Sequence, residues 1–493
     1  MCVTRIPQSS VIPFIAAAIC CFCCQRTTLL AQSSDTTNAS RPNVVVFIAD
    51  DMSQLDCTPY ADQGFATPAI QKLAQRGMVF DRAYVASPSC APSRAALLTA
   101  MMPQRNGAQA NHTKPRADIK KWPAYFQDLG YEVVAFGKVS HYQHTQDYGF
   151  DHFAHDKFHD HAGITAAVDY LKERAKKTDP KPLCLMVGSN WPHVPWPQIP
   201  EKYKGKTWPL PAGSLDTPAT QRWRSRYVSA IENADANLVT IMEAVETYLP
   251  ANTIFLFTAD HGAQWPFGKW NLYEAGIRVP LIVSWPDHIA PGSRTTAMVS
   301  WIDLLPTLHD IAGGNPDAQW DGKSMRGVLE GHDQEHRKHI FATHSNDNRM
   351  NVYPMRSVSD GRWKYILNLH PEFAFTTHLD LVGGADGQRK FFSTWENLAA
   401  TDTVAANLLK RYHERPLEEL YDLLADPHEQ HNLADEPEHQ AHLKRLRSVL
   451  QNWRDENHDS VELKVEPRLI SDKSSYGAAA EITPAPKQPF RKP

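Results

Sequence analysis

Short, nearly unbroken runs of apolar and often β-branched residues recur along this chain at 42–49, 132–136, 183–187, 253–258 and 279–283. A strand that is apolar on both faces has to be covered on both sides, which is the position of a strand in a parallel sheet between helix layers. Helical periodicity fills the intervals. It covers 68–76, then 163–177 with Ile164, Val168 and Leu171 on one face, and the long stretch 217–248. Alternating strand and helix predicts an α/β layered domain over 42–345. The connections are long, and loops at strand ends are where such folds keep their chemistry.

Past residue 346 the pattern changes. Runs at 352–358 and 363–367 flank Asp360-Gly361, a strong hairpin signal, and helical stretches follow at 394–412 and 437–453. This predicts a smaller α+β domain over 346–465, followed by a polar tail, 466–493, carrying Pro484, Pro486, Pro489 and Pro493. Of 493 residues, 42% are hydrophobic and 22% charged, which excludes a disordered, collagenous or multi-span membrane chain. A net charge of −4 leaves no basic surplus for nucleic acid.

Arg5, an apolar run over 11–24 and Leu29-Leu30-Ala31 read as a secretory signal peptide, 1–31, cleaved near Ala31. The run is too short for a stable spanning helix. The expected location is therefore secreted or periplasmic, or lysosomal in a eukaryote. Five of the eight cysteines fall in that segment, so Cys57, Cys90 and Cys184 remain, too few for a disulfide framework.

Asp50-Asp51 closes the first apolar run, and Asp260-His261 closes the run 253–258 in the same way. Adjacent carboxylates at a strand end are either solvated turns or ligands of a hard divalent cation, and two such ends at one sheet edge favour the cation. Cys90 stands just before an expected helix start, where it is either a buried thiol or a group near the positive end of the helix dipole. His141, His144, His152, His155, His159 and His161 form a histidine-rich stretch whose composition hints at zinc or copper but whose spacing fits no standard ligand motif.

The segment Cys90-Ala91-Pro92-Ser93-Arg94, continuing Ala95-Ala96-Leu97-Leu98-Thr99, resembles the Cys-x-Pro-Ser-Arg signature of the type I sulfatases. The strand 43–51, Gly137-Lys138 and Asp260-His261-Gly262 follow in family order, and Glu419-Leu420-Tyr421-Asp422, Asp426-Pro427, Glu429 and Asn432-Leu433 look like the family's C-terminal domain. Within the family, residues 265–273, 352–358, Asn368-Leu369-His370 and 426–429 are similar to heparan N-sulfatases (N-sulfoglucosamine sulfohydrolases). Gly137-Lys138-Val139-Ser140-His141 and 190–195 look more like iduronate-2-sulfatases, and position 261 is His where many sulfatases carry Asn.

The resemblance implies an alkaline-phosphatase-like fold, with a large, mixed, mostly parallel sheet between helices and a smaller C-terminal domain with an antiparallel sheet. It implies that a sulfatase-maturing, formylglycine-generating enzyme oxidises Cys90 to Cα-formylglycine. Asp50, Asp51, Asp260 and His261, with the residue at 90, would hold one Ca2+, although an imidazole is a soft partner for calcium. Arg94 would steady the nucleophile, Lys138 and Lys269 would clamp sulfate, His141 would accept a proton and His193 would donate one. His344 is expected to reach the pocket from the domain border. Trp191, Trp196, Trp265 and Trp270 either flank a sugar or pack loops. The implied substrate is a sulfated saccharide, an N-sulfated glucosamine first. The alternatives are an O-sulfatase on another polysaccharide, a saccharide-binding protein with Cys90 unmodified, and a phosphatase or phosphonate hydrolase.

Overall fold

The computed structural model describes residues 41–154, 162–381, 387–461, 463 and 465–477. The expected signal peptide, His155, His159, His161 and residues 478–493 of the tail lie outside these. An eight-stranded sheet is built from β1 (Asn43–Ala49), β2 (Met78–Tyr84), β3 (Glu132–Gly137), β4 (His152–Ala154), β5 (Leu183–Gly188), β6 (Thr253–Ala259), β7 (Leu281–Ser284) and β8 (Ser293–Ser300). Their order across the sheet is β4-β3-β5-β1-β6-β7-β2-β8. Only β7 runs against its neighbours β6 and β2. Every residue of β1, β5 and β6 is buried, so successive side chains find cover on both faces, as the apolar runs required. At about 1.5–3 kcal/mol for each large apolar side chain buried, these three strands are a main source of the core's stability.

β2 and β8 did not announce themselves in the sequence. Asp81 and Arg82 interrupt the first, and the second begins with alternately exposed residues, as suits a sheet edge. Pro68–Arg76 is a helix as expected, and Pro218–Tyr248 begins where the Thr217 side chain accepts from the backbone N–H of Thr220.

The smaller sheet is antiparallel: β9 (Ile340–Asp347), β10 (Asn351–Ser359), β11 (Trp363–Asn368) and β12 (Glu418–Asp422), in the order β12-β11-β10-β9. β10 and β11 form the hairpin around Asp360-Gly361. The stretch 394–412, expected as one helix, is part of two, Arg389–Ala399 and Thr403–His413, because the Asp402 side chain caps the second by accepting from Ala405 N at 2.8 Å. Buried polar contacts join this sheet to the loop after β6. Lys364 Nζ lies 3.1 Å from Glu274 and 2.9 Å from Glu429, and the Tyr273 hydroxyl donates to Glu419 at 2.8 Å.

Arg356 of β10 and Asp459 make a fully buried bidentate pair at 2.7–3.0 Å, and the guanidinium also donates to the carbonyls of His344 and Met355. Removing one partner leaves an uncompensated buried charge, so Asp459→Ala is expected to cost about 3–5 kcal/mol of stability. Chemical denaturation of both proteins measures it, and a loss under about 1 kcal/mol would mean that water reaches the guanidinium in the variant.

Candidate active site

β1 lies at the centre of the large sheet, with β5 on one side and β6 on the other. The crevice beyond the carboxyl ends of strands at such a divergence is where open α/β sheets bind ligands. Asp50 and Asp51 follow β1 directly, Asp260 and His261 follow β6, and Lys138 follows β3. Lys138 reaches this edge because the ends of β3 and β5 approach closely. Gly137 has a φ of +68°, and a Cβ on it would stand 2.1 Å from the Gly188 carbonyl oxygen, while one on Gly188 would stand 2.0 Å from that of Lys138. Only glycine fits either position.

The helix Cys90–Thr99 is buried along its whole length and presents Cys90 as its first residue. Cys90 Sγ lies 3.3 Å from His261 Nε2, 3.6 Å from Lys138 Nζ, 3.9 Å from Asp51 Oδ1 and 4.0 Å from Asp50 Oδ1. One turn on, Ser93 Oγ donates to the Asp260 carbonyl at 2.6 Å. Arg94 donates to Asp260 Oδ2 at 2.9 Å, to Asp50 Oδ1 at 3.1 Å, and to the carbonyl of Lys138. Lys138 Nζ meets Asp50 Oδ2 at 2.6 Å, and Lys269 Nζ meets both oxygens of Asp51 at 2.8 and 3.0 Å. Asp51 adopts a left-handed backbone, φ +64°, and its N–H donates to Asp260 Oδ1 at 2.9 Å. That bond ties the ends of β1 and β6 together.

Charge sets the state of each group. Burial raises the Asp50 carboxyl, but Lys138, His193, Arg94 and Lys269 outweigh it and hold the group well below the usual carboxylate range. Asp51 goes the other way. Burial, joined by Asp50 and Asp260, lifts it to about 7 against the pull of Lys269. Burial pushes the Cys90 thiol up to about 12, so the unmodified side chain is a neutral thiol and a weak nucleophile. Burial also lowers His261 to about 4. Its Nδ1–H donates to the Gly262 carbonyl at 3.0 Å, which leaves a bare lone pair on Nε2 facing Cys90, Asp51 and Asp260.

Asp51, Cys90, Asp260 and His261 each offer one ligand atom, and the four atoms lie within 4.8 Å of one another. Carboxylate oxygens with one imidazole lone pair, buried and converging, fit a divalent cation. Asp50 stands beside this group, its oxygens taken by Arg94 and Lys138. Among the described residues no other such group occurs, and His141, His144 and His152 do not form one.

His193 is buried in the loop after β5. Its Nδ1–H donates to the Val194 carbonyl at 2.5 Å, and Nε2 is 3.8 Å from Asp51 Oδ2. His141 is buried beside Tyr142, over whose ring Lys138 Nζ sits at 4.5 Å. His344 is not brought into the group. Its Nε2 faces Asn351 Oδ1 at 2.5 Å within β9 and β10. Three residues on, Asp347 is the acidic end of β9. It receives N–H bonds from Asn111 and Trp270, both at 2.9 Å, and lies 3.1 Å from His112. Sequence reasoning missed Asn111, His112 and Asp347, because nothing in their spacing sets them apart from loop residues. The tryptophans divide. Trp196 and Trp265 are buried and stack on each other at 5.9 Å, which makes them packing residues, whereas Trp191 is half-buried.

A crevice with a buried helix-borne Cys90, two lysines and a guanidinium is the equipment of a hydrolase of anionic esters. The chain belongs to the sulfatase family: the sulfatase family model matches residues 42–314, and the model of the N-sulphoglucosamine sulphohydrolase C-terminal region matches residues 261–379. It is an enzyme of the sulfuric ester hydrolase class, with resemblance to heparan N-sulfatase in particular. An ulvan-active sulfatase of Formosa agariphila is 32% identical over 84% of this chain and 80% of its own length. The human N-sulphoglucosamine sulphohydrolase is 27% identical over 85% of this chain and 91% of its own. In fold, the chain matches a protein solved in complex with its substrate D-glucosamine-2-N,6-O-disulfate, with a TM-score of 0.66 at 19% identity, covering 85% of this chain and 99% of that one.

Proposed function

We propose that this sulfatase is exported and removes sulfate from the terminal sugar of a sulfated saccharide, with the residue at 90 as nucleophile. The observation that carries the reading is the setting of Cys90. A thiol held neutral at about 12, yet ringed by Lys138, His261, Asp50 and Asp51 at 3.3–4.0 Å, has the surroundings of a reacting centre without the reactivity. Oxidation by a maturing enzyme to Cα-formylglycine supplies, as the hydrate, an oxygen nucleophile and a way to expel sulfate afterwards. Calcium held by Asp51, Asp260, His261 and the residue at 90, with Asp50 beside them, supplies Lewis-acid stabilisation of the sulfate oxygens.

The chain's own residues do the rest. Lys138 and Lys269 already carry positive charge at the crevice floor and neutralise the sulfate. Arg94, fixed by Asp50 and Asp260, orients the group at 90. His193, with Nδ1–H committed to the Val194 carbonyl, carries a proton on Nε2 to the leaving sugar oxygen or nitrogen. His141 takes the proton that must leave the group at 90 when sulfate is released.

An N-sulfated glucosamine is the first substrate, supported by the matched C-terminal region and by the human relative. A second reading, an O-sulfated sugar of an ulvan-like polysaccharide, is favoured by the 32% identity to the ulvan-active relative. Sulfate release from a panel of N- and O-sulfated mono- and disaccharides, from intact polymer, and from aryl sulfate beside aryl phosphate tests the proposal. Preference for chain-end sugars and for sulfate over phosphate is expected. Equal cleavage of internal units would refute exo action, and faster phosphate release would refute the sulfatase reading.

His193→Ala is expected to lower kcat on the sugar substrate by about 10²–10⁴-fold and to affect an activated aryl sulfate far less, since that leaving group hardly needs a proton. Equal losses on both would remove His193 from the acid role.

A further inference from the structure

Beside the crevice, three side chains line up from buried to half-exposed. His141 Nε2 is 2.7 Å from His112 Nδ1, and His112 Nε2 is 3.1 Å from Asp347 Oδ1. His141 and Asp347 are buried, while the His112 side chain is 44% exposed. Asp347 is anchored independently: its Oδ2 accepts from Asn111 Nδ2 and from Trp270 Nε1, both at 2.9 Å. Asn111 in turn accepts from the backbone N–H of Ala91, next to the nucleophile.

Donor and acceptor bookkeeping leaves one arrangement for neutral rings. An ionised carboxylate only accepts, so His112 Nε2 carries the hydrogen and His112 Nδ1 is the acceptor. His141 Nε2 must then carry a hydrogen and donate it to His112. That leaves His141 Nδ1 bare, and Nδ1 is a buried atom with no hydrogen-bond partner. The imidazole is thus held with its accepting nitrogen unused.

We propose that His112 and Asp347 are positioning residues of the reaction, which fix this tautomer of His141 and take up the positive charge that His141 cannot hold. The proposal rests on the reading of His141 as proton acceptor. When Nδ1 takes a proton, the Nε2 proton passes to His112 Nδ1. The His141 ring stays neutral, and the new charge sits on His112, against the Asp347 carboxylate and within reach of water. When Nδ1 gives its proton up to departing sulfate or to water, the proton on His112 Nδ1 returns to His141 Nε2, and the three groups are as they began. The surroundings fit this division. Burial, with His112, Lys138 and His144, holds the His141 imidazole well below its ordinary range, and Asp347 only partly offsets them. Asp347 itself, raised by burial but pulled down further by His112, His378 and Asn111, stays ionised.

His112 has a φ of +63°, which glycine adopts without strain, and removal of its half-exposed ring opens a space that free imidazole can enter. The test compares wild type, His112→Gly, Asp347→Asn and His141→Ala, each matured and metal-loaded, on one saccharide substrate. His112→Gly is expected to lower kcat by about 10²-fold with KM little changed, at the low end of general acid–base effects. Added imidazole is expected to restore at least tenfold of it, and N-methylimidazole, which cannot both accept and donate, far less. Asp347→Asn is expected to lower kcat as well, without imidazole rescue. A folded His112→Gly with full kcat, or with a loss that imidazole does not repair while His141→Ala is inactive, overturns the proposal and leaves the role of His141 standing. Full activity in His141→Ala overturns that role itself.

Discussion

Cys90→Ala is expected to abolish turnover, by a factor on the order of 10⁴ or more, while the protein folds normally. The loss is large because the nucleophile is made from this side chain alone. Folding is spared because Sγ contributes only long contacts, 3.3–4.0 Å, to neighbours already paired with one another through Arg94, Lys138 and Lys269. Cys90→Ser is expected to be nearly as inactive after at most one turnover, because a serine sulfate ester has no second hydroxyl from which to collapse to a carbonyl. Single-turnover and steady-state sulfate release, alongside thermal unfolding, measure both. Multiple turnovers by Cys90→Ala at the wild-type rate would remove position 90 from the chemistry.

The second large effect is expected at Asp260. One oxygen accepts from Asp51 N at 2.9 Å and the other from Arg94 Nε at 2.9 Å, so Asp260 at once joins two strand ends, holds Arg94 and offers a ligand to the cation group. Asp260→Asn keeps the shape and removes the charge. It is expected to lower kcat by at least 10²–10³-fold, the range for removal of one key electrostatic group. Metal content by elemental analysis is expected to fall in parallel, and chelation of the wild type to reproduce the loss. Full activity in wild-type protein shown to be free of metal would contradict the cation site.

Much of this site was legible in the sequence because it lies at strand ends. Asp50-Asp51 and Asp260-His261 each terminate an apolar run, and parallel pairing of β1 with β6 brings the ends of both runs to one edge. Their convergence with Lys138, Lys269 and Arg94 around Cys90 follows the family motifs. The acidic end of β9 was not legible. Asp347 becomes part of the site wall only through contacts to residues 77 and 235–236 positions away, Trp270, His112 and Asn111. No local spacing reports such a contact, and His344, which the run 340–343 made conspicuous, belongs to the β9–β10 interior instead. The last two strands on one flank of the sheet, β2 and β8, were missed for a related reason. Both carry charged or exposed residues that blur the apolar signal, and their pairing shifts register between Phe80 and Arg82, unlike the unbroken ladders of β1 with β5 and β6. The break at Ala400–Asp402 depends on one capping side chain, which periodicity alone does not weigh.

Aldehyde content at position 90 and the rate of sulfate release, determined on the same preparations, bear most directly on the mechanism. Coexpression with and without a sulfatase-maturing enzyme yields protein with different fractions of the cysteine converted, read by peptide mass spectrometry. Turnover is expected to rise in proportion to the aldehyde fraction and to vanish, on N- and O-sulfated saccharides alike, where the thiol is intact. Undiminished sulfate release from protein carrying only the thiol at Cys90 would contradict the mechanism.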